Sequence, residues 1–222
     1  MKKFADITKI AAKQKGGADA LERLLSVPLP PKKIKAAPDD RWLSAMTMCV
    51  FQAGFNWRVI ENKWPRFEEA FEAFDLARLA MMNDDDVDRL LITPGIVANG
   101  AKIKSVGENA RYLQALAYEY KTVGAYFATW DGANYWANLR ALQTEGSRMG
   151  GRTGQVFLRR MGLDTLVFSP DVLTALAREG VISKMPASAK DYVVVQAAID
   201  AWRAESDRSL THISQILAYS VG

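Results

Sequence analysis

"MGGRTGQVFLRRMGLDTLVFSPD", Met149 to Asp171, holds a glycine pair, a basic helical stretch and one carboxylate beside a Ser-Pro pair. The preceding residues widen it to "EGSRMGGRTGQVFLRRMG" (Glu145 to Gly162), two helical patterns joined by glycines. Glycine has no Cβ, so such a turn leaves backbone N–H groups open. Together with the N-terminus of the second helix they form a site for an anion. Gly150, Gly151 and Gly154 make the turn and Thr153 adds a hydroxyl. Arg148, Arg152, Arg159 and Arg160 flank it, a combination suited to a nucleic-acid backbone. A plain glycine connector between two helices of a bundle fits the local chemistry equally well. "LLITPGIVANGAKIKSVG" (Leu90 to Gly107) shares the outline with less arginine, and for its Pro94-Gly95 turn the connector is the better reading. Ser169-Pro170-Asp171, taken alone, is an ordinary helix opening: Ser as N-cap, Pro at the first position, Asp near the positive end of the dipole.

Outward from this segment the apolar spacing stays helical, which predicts an all-α fold. "ADALERLLSV" (Ala18 to Val27) is amphipathic and runs into "PLPPKKIKAAP" (Pro28 to Pro38), where prolines predict a helix-free linker. Asp39 to Gly54 carries acidic residues at its start and a glycine stop. "NDDDVDRLL" places carboxylates at a helix N-terminus, and "GAKIKSVGENARYLQALAYEY" reads as a longer helix. "SAKD" (Ser188 to Asp191) has the form of a capping box, and "LTHISQILAYS" closes the chain as an amphipathic helix. "YVVV" and "TLVF" are short and sit beside helix signals, so neither is assigned to a strand. These features predict an N-terminal helical arm and Pro/Lys linker over 1–38, a helical lobe over 39–145, and a hairpin with C-terminal helices over 146–222.

Composition narrows the function classes. The 222 residues are 49% hydrophobic and 24% charged, as in an ordinary globular protein. The net charge of +4 is a mild excess, compatible with a polyanionic partner. One cysteine (Cys49) and one histidine (His212) rule out an internal disulfide framework and argue against a zinc or iron–sulfur site. No stretch approaches the roughly 20 apolar residues that span a bilayer, and "MKKFADITKI" lacks a signal-peptide core. The expected setting is the cytoplasm, with no metal and no organic cofactor.

"SRMGGRTGQVFLRRMG" followed by "FSPDVLTAL" resembles the helix–hairpin–helix DNA glycosylase superfamily, in which a glycine hairpin precedes a catalytic aspartate. Within it the sequence is similar to bacterial 3-methyladenine DNA glycosylase I. The Q-A-G-x-x-W core stands as Gln52, Ala53, Gly54 and Trp57; the F-D-x-x-x-x-A-x-M element as Phe74, Asp75, Ala80 and Met82. The G-I-(I/V) turn and its lysine stand as Gly95, Ile96, Val97 and Lys102. The similarity runs over roughly residues 40 to 180. Three features depart from that family. Its Y-H-D-x-E-W-G signature is missing from the first 40 residues, its zinc-binding Cys and His are absent, and its base-contacting glutamate falls at Cys49.

The resemblance implies two helical lobes flanking a cleft and a DNA glycosylase of base excision repair, acting on duplex DNA with a damaged, alkylated base. It implies a catalytic role for Asp171: cleaving the glycosidic bond builds positive charge on the deoxyribose, which a carboxylate stabilises while orienting the attacking water. Arg152 stands where a lysine would allow a Schiff-base lyase, so a monofunctional hydrolase is expected. Trp57 and Trp42 are candidates for stacking an extruded base, Gln52 for its edge, and Cys49 for the pocket wall; for each, core packing is the plainer alternative. Arg148, Gly150, Gly151, Arg152, Thr153, Gly154 and Lys102 are the candidate DNA contacts, with Lys104 beside them; surface lysines are ordinarily just solvated. His212 receives no role. The rival reading is a non-catalytic DNA-binding protein derived from the same fold; a helical scaffold needs only the all-α pattern.

Overall fold

A computed structural model describes residues 1–132 and 134–222. In chain order the helices are α1 (Phe4–Gln14), α2 (Ala18–Leu24), α3 (Pro31–Lys35), α4 (Asp39–Gln52), α5 (Trp57–Ala70), a 3-10 turn (Glu72–Phe74), α6 (Leu76–Ala80) and α7 (Asp84–Leu91). They continue with α8 (Gly100–Tyr120), α9 (Val123–Phe127), α10 (Tyr135–Glu145), α11 (Arg152–Arg160), α12 (Pro170–Arg178), α13 (Ala189–Ser206) and α14 (Leu210–Tyr219). No strand forms among the described residues, as the spacing predicts.

Contacts divide the chain into two compact units, one of residues 30–161 and one joining residues 1–29 to 162–222. These limits do not coincide with the segments drawn from the sequence. The glycine hairpin belongs with the middle of the chain, and the N-terminal helices belong with the C-terminal ones. The proline-rich stretch also differs from expectation, because it contains α3. Pro31 sits at the first helical position, where a missing N–H costs nothing, so these prolines start a helix rather than prevent one.

In the unit of residues 30–161, α8 packs against α4, α6, α7 and α9. Asn99 caps its start, accepting from the Lys102 N–H at 3.1 Å. Asn83 and Asp86 form the capping box that opens α7. Trp42 on α4 stacks on Phe127 of α9, with ring centroids 4.5 Å apart, and meets Phe157 of α11 edge-on at 6.0 Å. This cluster ties the second helix of the hairpin to the core.

In the other unit α1 packs on α13 and α14. Phe4 lies 6.0 Å from Trp202, whose indole N–H donates to the Lys2 carbonyl at 3.2 Å. "TLVF" lies in neither a helix nor a strand; the N–H groups of Thr165 and Val167 donate to the hydroxyls of Thr211 (3.2 Å) and Ser214 (3.1 Å) on α14. Asp164 accepts from Leu210 N at 3.0 Å and Thr211 N at 2.7 Å. The chain therefore enters α12, the helix that carries Asp171, along a path fixed by α14. "YVVV" lies inside α13, whose capping box is Ser188 with Asp191, as read from the sequence.

Candidate nucleic-acid interface and carboxylate

The hairpin is built by backbone conformations that few side chains tolerate. Arg148 has φ +60° and Gly151 φ +55°, and Gly151 is the N-cap residue of α11. At Gly154 a Cβ would lie 2.7 Å from the Met149 carbonyl, so only glycine lets the helix start there. The Gly154 N–H donates to that same carbonyl at 3.1 Å. Asn109 of α8 clamps the approach through both amide atoms: Oδ1 accepts from Ser147 N at 2.7 Å and Nδ2 donates to Ser147 O at 3.0 Å. The Gln143 amide donates to the Gly151 carbonyl at 3.1 Å. With those contacts made, the N–H groups of Gly150, Gly151 and Arg152 have no partner among the described residues. Arg148, Gly150, Gly151 and Arg152 are exposed and Thr153 half-buried, so these amides and two cations face solvent. Gly154 is buried and shapes the turn.

The first glycine turn is different. Lys102, a candidate phosphate contact, is only 5% exposed. Its ammonium donates to the carbonyls of Phe51 (3.1 Å) and Ala53 (2.7 Å), at the C-terminal end of α4, and lies 4.5 Å from the Phe55 ring centre. Burial lowers its pKa, and Arg148 adds to the effect. Lys102 thus ties down the Gln-Ala-Gly loop rather than presenting charge to solvent. Lys104 is exposed and lies 4.0 Å from Asp84.

The candidate base contacts fall into two groups. Trp57 is the first residue of α5, capped by Asn56, and is 49% exposed. Trp42 has no exposed surface, and its indole N–H donates to Ala37 O at 3.3 Å; it is a core residue. Cys49 is likewise buried, its thiol pushed up to about 11 by burial against the opposing pull of Arg160. Gln52 is 1% exposed and both its amide atoms are used. Nε2 donates to Glu61 at 3.1 Å and Oε1 accepts from Arg160 at 2.8 Å. The structure therefore leaves Trp57 exposed and encloses Trp42, Cys49 and Gln52 within its own packing. Glu61, exposed one helical turn beyond Trp57, was not singled out by sequence motifs; its signal is the i, i+4 spacing on α5.

Asp171 belongs to the other unit. Ser169 caps α12, its hydroxyl accepting from Val172 N at 3.2 Å, and Pro170 takes the first position. The cap is thus supplied by Ser169, while the Asp171 carboxylate is exposed and has no hydrogen bond or ion pair among the described residues. No group of His, Cys, Asp and Glu able to hold a metal occurs among the described residues, and none of their helices is long and apolar enough to cross a membrane.

An all-helical chain with a clamped glycine hairpin, open amides and a following helix-start aspartate has the fold of the helix–hairpin–helix DNA glycosylases. Two solved structures share that fold. A Methanocaldococcus jannaschii 8-oxoguanine glycosylase/lyase, solved with a 15mer DNA containing 8-oxoguanine, superposes with TM-score 0.57 at 14% identity, covering 96% of this chain and 95% of that one. The Staphylococcus aureus 3-methyladenine DNA glycosylase I does so with TM-score 0.51 at 20% identity, covering 64% of this chain and 82% of that one. By sequence, residues 34–148 match the methyladenine glycosylase family, and the chain belongs to that family. It is 38% identical over 64 residues to DNA-3-methyladenine glycosylase 1 of Escherichia coli K12, and 31% identical over 65 residues to the Haemophilus influenzae DNA-3-methyladenine glycosylase. Those stretches cover 28% and 29% of this chain, and the chain spans only about a third (34% and 35%) of those relatives' lengths. The family match ends at Arg148, so the glycines of the hairpin and Asp171 lie beyond it.

Proposed function

We propose that this protein is a monofunctional DNA glycosylase that removes an alkylated base from duplex DNA in base excision repair. The open N–H groups of Gly150, Gly151 and Arg152, with Arg148 and Arg152 beside them, take a DNA phosphate; Thr153 adds a hydroxyl donor. Trp57 supplies a stacking face for the extruded base, and a cationic alkylated purine stacks well on an indole. Asp171 stabilises the positive charge that develops on the deoxyribose and orients the attacking water. Extrusion costs a few kcal/mol, less where the lesion already weakens pairing, so the damaged DNA contributes to its own selection. No lysine lies in the hairpin, which favours hydrolysis over a Schiff-base route. A single cysteine, with no internal disulfide possible, agrees with a cytoplasmic setting.

The observation that carries the enzymatic reading is the exposed, unpartnered carboxylate of Asp171, whose capping task is already filled by Ser169. The test is Asp171→Asn beside wild type, with release of free methylated purine from alkylated duplex as one readout and duplex affinity as the other. Loss of release by at least about a hundredfold is expected with affinity kept within about twofold, as for a group acting in the transition state. Equal release by both proteins removes Asp171 from the mechanism. Tight binding by wild type without release of any base, over a panel of lesions, supports the non-catalytic DNA-binding protein instead.

A further inference from the structure

We propose that Glu61 is the residue that selects for a positively charged base, acting as the anionic acceptor beside Trp57; this rests on the glycosylase reading above. Trp57 and Glu61 are four residues apart on α5, so their side chains neighbour each other on one face of the helix, with Cβ atoms about 5–6 Å apart. Both are exposed, and Glu61 joins no ion pair among the described residues. Its one hydrogen bond is to the buried Gln52 amide, which donates at 3.1 Å. Gln52 cannot turn away, because its carbonyl oxygen is held by Arg160 at 2.8 Å. The chain Arg160–Gln52–Glu61 therefore fixes one carboxylate oxygen and leaves the other without a partner among the described residues, on the helix face that also carries Trp57. Gln52, with both amide atoms committed, is a positioning residue rather than a reader of the base.

Cys49 is enclosed and its thiol is held neutral by burial. An unpaired carboxylate close to a DNA-binding surface repels phosphate, which disfavours binding of undamaged duplex. It becomes favourable when a cation arrives beside it. An alkylated purine brings that cation, stacked on Trp57 with its charged ring edge or amino group toward Glu61.

The experiment compares Glu61→Gln with wild type. Glutamine keeps the size and an oxygen acceptor for Gln52 but removes the charge. Three quantities are measured: single-turnover release of 7-methylguanine and 3-methyladenine from methylated duplex, affinity for undamaged duplex, and melting temperature. The expected result is release slowed by about tenfold or more, undamaged-duplex affinity unchanged or raised, and the melting temperature unchanged. Unaltered release in the variant overturns the assignment, and so does a loss of release accompanied by equal loss of affinity and a lower melting temperature. Absence of release by wild type itself is a separate outcome: it overturns the glycosylase reading and this inference with it.

Discussion

Cys49 stands in the apolar run "AMTMCVF", and burial on α4 raises its thiol to about 11. At neutral pH it is a small hydrophobe with neither nucleophilic nor anionic character. Its reaction with an aromatic disulfide reagent at pH 8 is expected to be slow in the native protein and immediate in denaturant. Fast native labelling would show that the thiol is accessible after all. Lys102 makes a related point. Its spacing from Gly95 places it on the first turn of α8, but the side chain reaches back to two carbonyls at the end of α4. Sequence spacing locates the Cα atom, whereas the direction of a long flexible side chain depends on which unsatisfied groups lie within its reach.

At the scale of the element, the hairpin couples stability and binding at different positions. Gly154→Val would place a branched side chain where even a Cβ meets the Met149 carbonyl at 2.7 Å. Denaturant unfolding should show a loss of about 1–3 kcal/mol. Arg152 points to solvent from the first position of α11, so Arg152→Ala should leave the denaturation midpoint in place. It should instead weaken duplex binding and reduce the slope of log affinity against log salt by about one, as for a phosphate contact. Equal salt slopes for variant and wild type would exclude Arg152 from the DNA contact. The capping box at Ser188, the acidic helix start at Asp84–Asp86 and the stop at Gly54 were legible in the sequence, since helix ends are a matter of neighbouring residues; that Asn83 and Asp86 close a second capping box is seen only in the structure. Helix α3 was not, because the same prolines that break a helix interior are tolerated at its first turn.

For the molecule as a whole, the pH dependence of stability near neutrality has one identifiable source. His212 is the only histidine in the chain, and its pKa is lowered from the ordinary value of 6.5. Burial is the main cause and the Arg208 charge adds to it, while Glu22, Asp164 and the Ser26 backbone oppose. The unfolded chain therefore binds this proton more readily than the folded one. The stability that follows is present above pH 6.5 and is lost as the pH falls through the lowered folded value. Melting temperatures at pH 7.5 and 5.5 should fall more for wild type than for His212→Gln, and parallel profiles would remove His212 as the cause. Carboxylates act at lower pH: Asp86, held by Arg78, is lowered to about 2 and loses its contribution only in strong acid.

The sequence by itself determined the all-helical class, the starts and stops of several helices, and the glycine hairpin followed by a helix-start aspartate. These depend on periodicity and on residues a few positions apart. Only the tertiary structure decided that Trp42, Cys49 and Lys102 are enclosed while Trp57 and Glu61 are open, and that the first and last segments of the chain share one unit. Tryptophan, glutamine and lysine have the same local propensities in a core as in a binding site. Which of the two they enter is set by the residues that pack over them, and those come from distant parts of the chain.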